Sequence, residues 1–298
     1  MKMNTHRSLR PLAGLSFALM LTFSPHAMAE QFIGFGQPGK PGSWAVESFP
    51  VINRTSDGKT SIAGNTVLAY FSETGFTGTQ RDQLQFWAGA VPGYASTRGA
   101  VDSNAWGVAS PNLGFAYYYN VVEPGSTYGL ANDTTFWTNP TLMVEFPNGN
   151  DDSAGHGAFA NRYAVSFSVA NYLRIGRFGA TFTPAGIHYA ARNRNHTDLG
   201  SSDPTRLRGG VSLWLADIAA GYQVNEDLWL GVHHVYHLNN TSASDFKPSR
   251  AGKIGPSMTY SGFSGAGLFV SANLNFDYYH SANLKRSNAL TLALVKFF

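Results

Sequence analysis

Asn288-Ala289-Leu290-Thr291-Leu292-Ala293-Leu294-Val295-Lys296-Phe297-Phe298 closes the chain, and in an extended backbone it sorts into two faces. Leu290, Leu292, Leu294 and Phe298 fall on one face, with only Lys296 breaking the row. A strand with one apolar face that ends in phenylalanine is the pattern expected to dock on the barrel-insertion machinery through Phe298, leaving the C-terminus in the periplasm. The alternation recurs upstream. Leu268, Val270, Ala272, Leu274, Phe276 and Tyr278 share one face, and Ser271, Asn273, Asn275 and Asp277 the other. Ile254, Met258 and Tyr260 alternate with Lys253, Ser257 and Thr259. Leu228, Leu230 and Val232 alternate with His233 and His237; Tyr163, Val165, Phe167 and Val169 alternate with Arg162, Ser166 and Ser168.

Segments of about ten residues suit a tilted strand crossing a bilayer, whereas strands of soluble sandwiches run nearer five or six. Only a closed barrel satisfies every strand backbone group inside a membrane. The pattern therefore predicts an all-β fold, a transmembrane antiparallel up-and-down β-barrel of about 12 strands (range 10–14). Eleven segments qualify: 64–73, 82–93, 110–121, 134–146, 160–172, 176–189, 207–223, 227–239, 251–261, 265–279 and 288–298. Bacterial single-chain barrels have even counts, so Trp44–Asn53 is taken as the twelfth, with 30–63 as first strand or lumen plug and 64–298 as the barrel. Reading back from the C-terminus, connections alternate between long ones (Pro147–Gly157, Ala190–Thr205, Asn240–Arg250) and short ones (Arg174–Arg177, Val224–Asp227, Gly262–Gly265), as expected of outer loops and periplasmic turns. Asp217 shares the parity of Val211, Leu213 and Leu215, which predicts a bulge that shifts the phase.

Residues 1–29 read as an export signal: Lys2, Arg7 and Arg10, then the apolar run Pro11–Phe23, then Ala27-Met28-Ala29 before Glu30. The chain holds 21 Lys+Arg and 18 Asp+Glu, and residues 1–29 carry three of the basic and none of the acidic side chains. The remainder is balanced, which gives no reason to expect a nucleic-acid partner. With no cysteine, a periplasmic or surface fold must be held by its backbone network. Charged residues are 13% and aromatics 14%, so the apolar surface is spread over short segments rather than a membrane helix.

Motifs that could carry chemistry are weak. Gly34-Phe35-Gly36-Gln37-Pro38-Gly39 matches a dinucleotide fingerprint but follows no strand and opens no helix. His233 and His237 share a strand face about 13 Å apart, too far to chelate one ion; His234 points the other way, toward lipid or an aromatic girdle. His280-Ser281 is the nearest thing to a base and nucleophile, yet neighbours on a strand face opposite sides. Asp151, Asp152 and His156 share a long loop but match no calcium-loop spacing. No enzyme, cofactor or metal site is expected. The parities instead put Gln85, Asn139, Thr141, Glu145, Arg162, Ser166, His233, His237, Lys253, Asn273, Asn275 and Asp277 inside as the lumen lining. This set is polar, of both signs, and lacks the single-sign ring of an ion or phosphate pore.

Several short patterns resemble the outer-membrane family found with phenol meta-cleavage degradation clusters, relatives of long-chain fatty-acid channels. They are Asn139-Pro140, then Pro147-Asn148-Gly149-Asn150-Asp151, Gly221-Tyr222 leading into Leu228-Trp229-Leu230-Gly231-Val232, Gly255-Pro256 with Tyr260, and the closing phenylalanine. The resemblance spans roughly 64–298. His233-His234-Val235-Tyr236-His237 departs from it, standing where that family has a Gly/Tyr/Gln-rich run. It implies an outer-membrane channel for passive uptake of small hydrophobic or aromatic solutes, surrounded by membrane lipid and lipopolysaccharide, and carries over no binding residue. Two other readings stay open: a non-transporting structural or adhesion barrel, and an outer-membrane lipid hydrolase.

Overall fold

A computed structural model describes residues 41–72, 82–97, 103–122, 134–148, 162–194, 205–207, 209–239, 248–282 and 284–298. Its strands are β1 (Trp44–Thr55), β2 (Thr60–Phe71), β3 (Gln83–Thr97), β4 (Ser103–Val122), β5 (Thr134–Glu145), β6 (Ala164–Ile175), β7 (Phe178–Phe182), β8 (Ala185–Tyr189), β9 (Arg192–Arg194), β10 (Thr205–Leu207), β11 (Gly210–Gln223), β12 (Leu228–Asn239), β13 (Ser249–Tyr260), β14 (Leu268–His280) and β15 (Ser287–Phe297). β7 and β8 are the two halves of one wall strand, interrupted at Thr183-Pro184, and both lie between β6 and β11. β9 and β10 form a separate two-stranded ribbon. The wall therefore has twelve antiparallel strands, and β15 pairs with β1 from Ala45↔Phe297 to Thr55↔Ser287, closing it.

β1 is the twelfth strand: residues 44–55 belong to the wall, and residues 60–63 already belong to β2. Strand starts differ most at β4, which begins at Ser103 instead of 110, then equally at β2, which begins at Thr60 instead of 64, and β6, which begins at Ala164 instead of 160. The alternation of connection lengths holds only for the C-terminal half. In the first half, the connections at the end shared with the C-terminus are the longer ones, 72–82 and 123–133, while 56–59 and 98–102 at the far end are short. The export signal, Gly34–Gly39, and Asp151, Asp152 and His156 lie outside the described residues.

The predicted phase shift is present. The pairing of β11 with β12 slips between Trp214 and Ala216, so Leu215 is the extra residue. Ser212 and Trp214 before it and Asp217 and Ala219 after it are all buried, while Leu215 is exposed. Across β11, the Thr183 N–H donates to the Asp217 carbonyl at 2.8 Å, bridging the interruption that Pro184, lacking an N–H, leaves in the wall.

Elsewhere one face of each strand is buried and the other carries large apolar groups. Leu68, Phe86, Leu113, Phe115, Val165, Phe167, Leu173, Val232, Ile254, Phe276 and Leu294 point outward, as a wall in contact with lipid requires. Aromatic side chains flank this band: Trp44, Tyr119, Phe178 and Tyr222 near the end holding the C-terminus, and Tyr94, Trp106, Tyr163 and Tyr278 near the other. Lys296, the one break in the closing row, reaches the Ala266 carbonyl in the β13–β14 turn and lies over the Phe298 ring at 5.4 Å. It thus carries its charge out of the apolar band.

Gly114 shows how tightly the inner face is filled. It pairs with Trp87, and a Cβ built there would lie 2.1 Å from the Trp87 ring. Gly114→Val should cost about 1–3 kcal/mol of folding stability by forcing that ring aside. The check is a urea refolding midpoint followed by heat-modifiable gel migration.

Candidate functional site

The buried face of the wall is the barrel interior, and its chemistry changes along the axis. The middle is polar and paired. In β1 the Glu47 carboxylate accepts from Gln85 Nε2 at 2.9 Å, and Tyr118 Oη donates to Gln85 Oε1 at 3.2 Å. Asn112 Nδ2 donates to Asn65 Oδ1 at 2.9 Å, and Asn65 Nδ2 returns a longer bond at 3.4 Å. On the other side His233 Nε2 stands 2.9 Å from Asp217 Oδ1, and Nδ1 stands 2.8 Å from the Asn275 amide. Ser257 donates to Asn273 at 2.5 Å, and Thr259 and Ser271 share a hydrogen bond of 2.8 Å.

Of the residues read as lumen lining, Gln85, Asn139, Thr141, Glu145, Arg162, His233, Lys253, Asn273, Asn275 and Asp277 are buried, and Ser166 and His237 half-buried on the same inward parity. They do not form one cluster. Thr141 donates to Asn139 at 3.1 Å. Arg162 stands just ahead of β6 with its guanidinium 4.3 Å from the centre of the Tyr189 ring. His237 stacks on Trp214 at 4.4 Å between ring centres. Asp277 accepts from the Ser287 N–H at 3.0 Å and lies 3.1 Å from His280 Nδ1. Glu145 is fully buried, with Ser110 and Arg162 as its polar neighbours. His234 points outward, 2.8 Å from the Tyr278 hydroxyl.

The hydrolase geometry is not formed. His280 turns to Asp277, and the Ser281 hydroxyl accepts from the Arg250 N–H at 3.0 Å, so neither presents itself to the other. Among the described residues no three of the His, Asp and Glu side chains converge on a metal position.

Sequence reading missed an arc of aromatic rings inside the barrel near the end holding the C-terminus. Tyr118 packs on Trp137 at 5.7 Å, and Trp137 stacks on Tyr172 at 5.5 Å. Phe71 meets Tyr118 at 6.4 Å and Phe297 at 5.7 Å, and Phe269 continues the arc from Phe297 at 5.8 Å. Trp87 and Trp229 are buried on the same face, the latter under the Arg174 guanidinium at 5.4 Å. The indole nitrogens of Trp87 and Trp137 have no hydrogen-bond partner among the described residues. The signal was available: Trp137 shares the parity of Asn139 and Thr141, and Trp87 that of Gln85.

No family model matches the chain, and no curated protein does. Among solved structures, an outer-membrane channel from Pseudomonas putida F1 overlays with a TM-score of 0.69 at 16% identity, covering 90% of this chain and 100% of that one. The β domain of the Bordetella autotransporter BrkA overlays at 0.48 and 11% identity, covering 86% and 99%. The first likeness shows the fold: a closed twelve-stranded barrel of the outer-membrane type.

His233→Phe should cost about 1–3 kcal/mol, because it leaves the buried Asp217 carboxylate without its imidazole partner. The Asp217→Asn variant and the double variant complete a thermodynamic cycle, and a coupling energy near zero in urea unfolding would show that the pair does not act as a unit.

Proposed function

We propose that this protein is an outer-membrane channel for passive uptake of small hydrophobic solutes, aromatic ones in particular. The observation that carries this reading is the inward aromatic arc, with the indole N–H groups of Trp137 and the nearby Trp87 unpaired among the described residues. The rings face inward but are covered by one another and by their neighbours (Trp137 3% and Tyr172 4% exposed), so a flat apolar guest takes up offset and edge contacts with them by displacing those neighbours. The free N–H donors suit a guest that also carries an oxygen acceptor, since a buried unpaired donor costs about 1–3 kcal/mol until it is satisfied. Aromatic walls with a few placed polar groups are the usual make-up of a small-molecule site. The outward apolar band and its aromatic flanks support placement in the outer membrane, with the end holding the start of β1 and the C-terminus facing the periplasm.

A non-transporting structural barrel is the second reading, and one observation favours it. Asn65, His233, Ser271, Asn273, Asn275 and Thr291 are sealed from solvent, so side chains fill the middle of the described interior. Permeation therefore depends on this layer rearranging. The Asn139-Pro140 and Gly255-Pro256 pairs of the family likeness lie within β5 and β13, as parts of the wall.

Liposome swelling separates the two readings. Vesicles holding the refolded protein should admit phenol and benzoate faster than aliphatic solutes of equal size. Trp137→Ala should reduce that aromatic preference by about three- to tenfold, the worth of one ring contact of roughly 1 kcal/mol. Swelling no faster than protein-free vesicles for every solute would leave the structural reading in place.

A further inference from the structure

The outward surface of β6, β7, β11 and β12 carries a recess close to the C-terminal end of the barrel. Two rows of paired residues build it. Ile175, Phe178, Tyr222 and Leu230 form the row nearest the turns, and Leu173, Ala180, Ala220 and Val232 the next. Phe182 and Ile218 pair in the row beyond, both exposed. The facing methyls of Ala180 and Ala220 thus sit as a floor among large side chains, leaving a hollow of about 460 Å³ with almost wholly apolar walls.

A cation stands at its rim. Arg177 occupies the Gly176–Arg177 turn next to Phe178, where Gly176 takes the left-handed backbone conformation (φ 57°). Arg177 is exposed, and its guanidinium has no hydrogen bond or ion pair among the described residues. Glu226 and Asp227 lie in the neighbouring β11–β12 turn and form no ion pair with it. An apolar hollow in the band facing lipid, with an unpaired cation at the level of the headgroups, has the shape and charge of a phospholipid: hydrocarbon across the alanines, phosphate at the guanidinium.

We infer that this recess is a binding site for one anionic phospholipid of the periplasmic leaflet, its acyl chain lying over Ala180 and Ala220 and its phosphate held by Arg177. The inference rests on the membrane placement proposed above but not on transport, since the recess faces away from the lumen. The recess lies over the continuous β7–β11 pairing, from Ile218↔Phe182 to Tyr222↔Phe178, just short of the interruption at Thr183-Pro184.

Native mass spectrometry of the refolded full-length barrel in detergent, with added dioleoyl phosphatidylglycerol or dioleoyl phosphatidylcholine, tests it. The unmodified protein should retain one phosphatidylglycerol in preference to phosphatidylcholine. Ala220→Trp, which fills the hollow from the lipid side, should lower retention about tenfold, and Arg177→Gln about fivefold with loss of the headgroup preference. Heat-modifiable migration of all three proteins confirms that each is a folded barrel. Equal retention by the three would overturn the site. So would a dimer that Ala220→Trp disperses, which would make the recess a contact between two copies of this chain. A protein that forms no heat-modifiable barrel would instead strike the membrane placement itself.

Discussion

The structure depends on the seam between β1 and β15. In hydrocarbon a backbone N–H or C=O with no partner has no water to fall back on, so a sheet can cross a membrane only when its two edges meet. Here they meet over nearly the whole of both strands, from Ala45↔Phe297 to Thr55↔Ser287. Closure then dictates the rest. Every strand must hold one face toward lipid and one toward the interior, and wherever an extra residue enters, as at Leu215, the alternation must be re-phased on both sides of it.

Closure also makes the inner face concave, and that is why several interior partners come from strands that are not neighbours. Glu47 of β1 meets Gln85 of β3, and Asn65 of β2 meets Asn112 of β4, each across an intervening strand. His233 of β12 reaches Asn275 of β14 in the same way. The residue opposite His233 on β13 is Gly255, which puts no side chain into the gap. These bonds tie the wall transversely, which adjacent ladder pairing alone does not do. The N-cap, disulfide and metal devices that hold small soluble domains have no counterpart in the part of this chain described.

The two-residue period made the wall legible. Polar residues on one parity of β12, β13 and β14 could be assigned inward because the opposite parity was apolar, and the misplaced Asp217 announced its bulge for the same reason. β1 was harder: Trp44-Ala45-Val46-Glu47 mixes apolar side chains on both parities, so only the need for an even strand count pointed to it. The aromatic arc failed for a related reason. Around Trp137 and Tyr172 both faces are apolar, with Phe136 and Leu173 on the other parity, so the inward face is marked only by the parity that Trp137 shares with Asn139 and Thr141 further along β5. The alternation of connection lengths read back to Pro147–Gly157 does not extend into the first half, because nothing in a chain requires its long connections to gather at one end once the strands are paired.

The aromatic arc and the polar middle make opposite demands on the interior. Each paired amide, hydroxyl and imidazole in the middle lowers the energy of a closed section, since opening it exchanges protein partners for water at little net gain. The arc gains nothing from closure in the same way: its indole N–H groups have no partner among the described residues when the rings pack on one another. A guest that stacked on Trp137 and accepted from an indole nitrogen would supply what packing withholds. Under the proposed channel reading, the resistance to passage would sit in the layer of Glu47–Gln85, Asn65–Asn112 and Asp217–His233–Asn275, and the affinity for a guest in the aromatic arc beside it. In such an arrangement selectivity and rate are set by different residues: substitutions in the arc change which solutes are held, and substitutions in the polar layer change how fast any of them crosses.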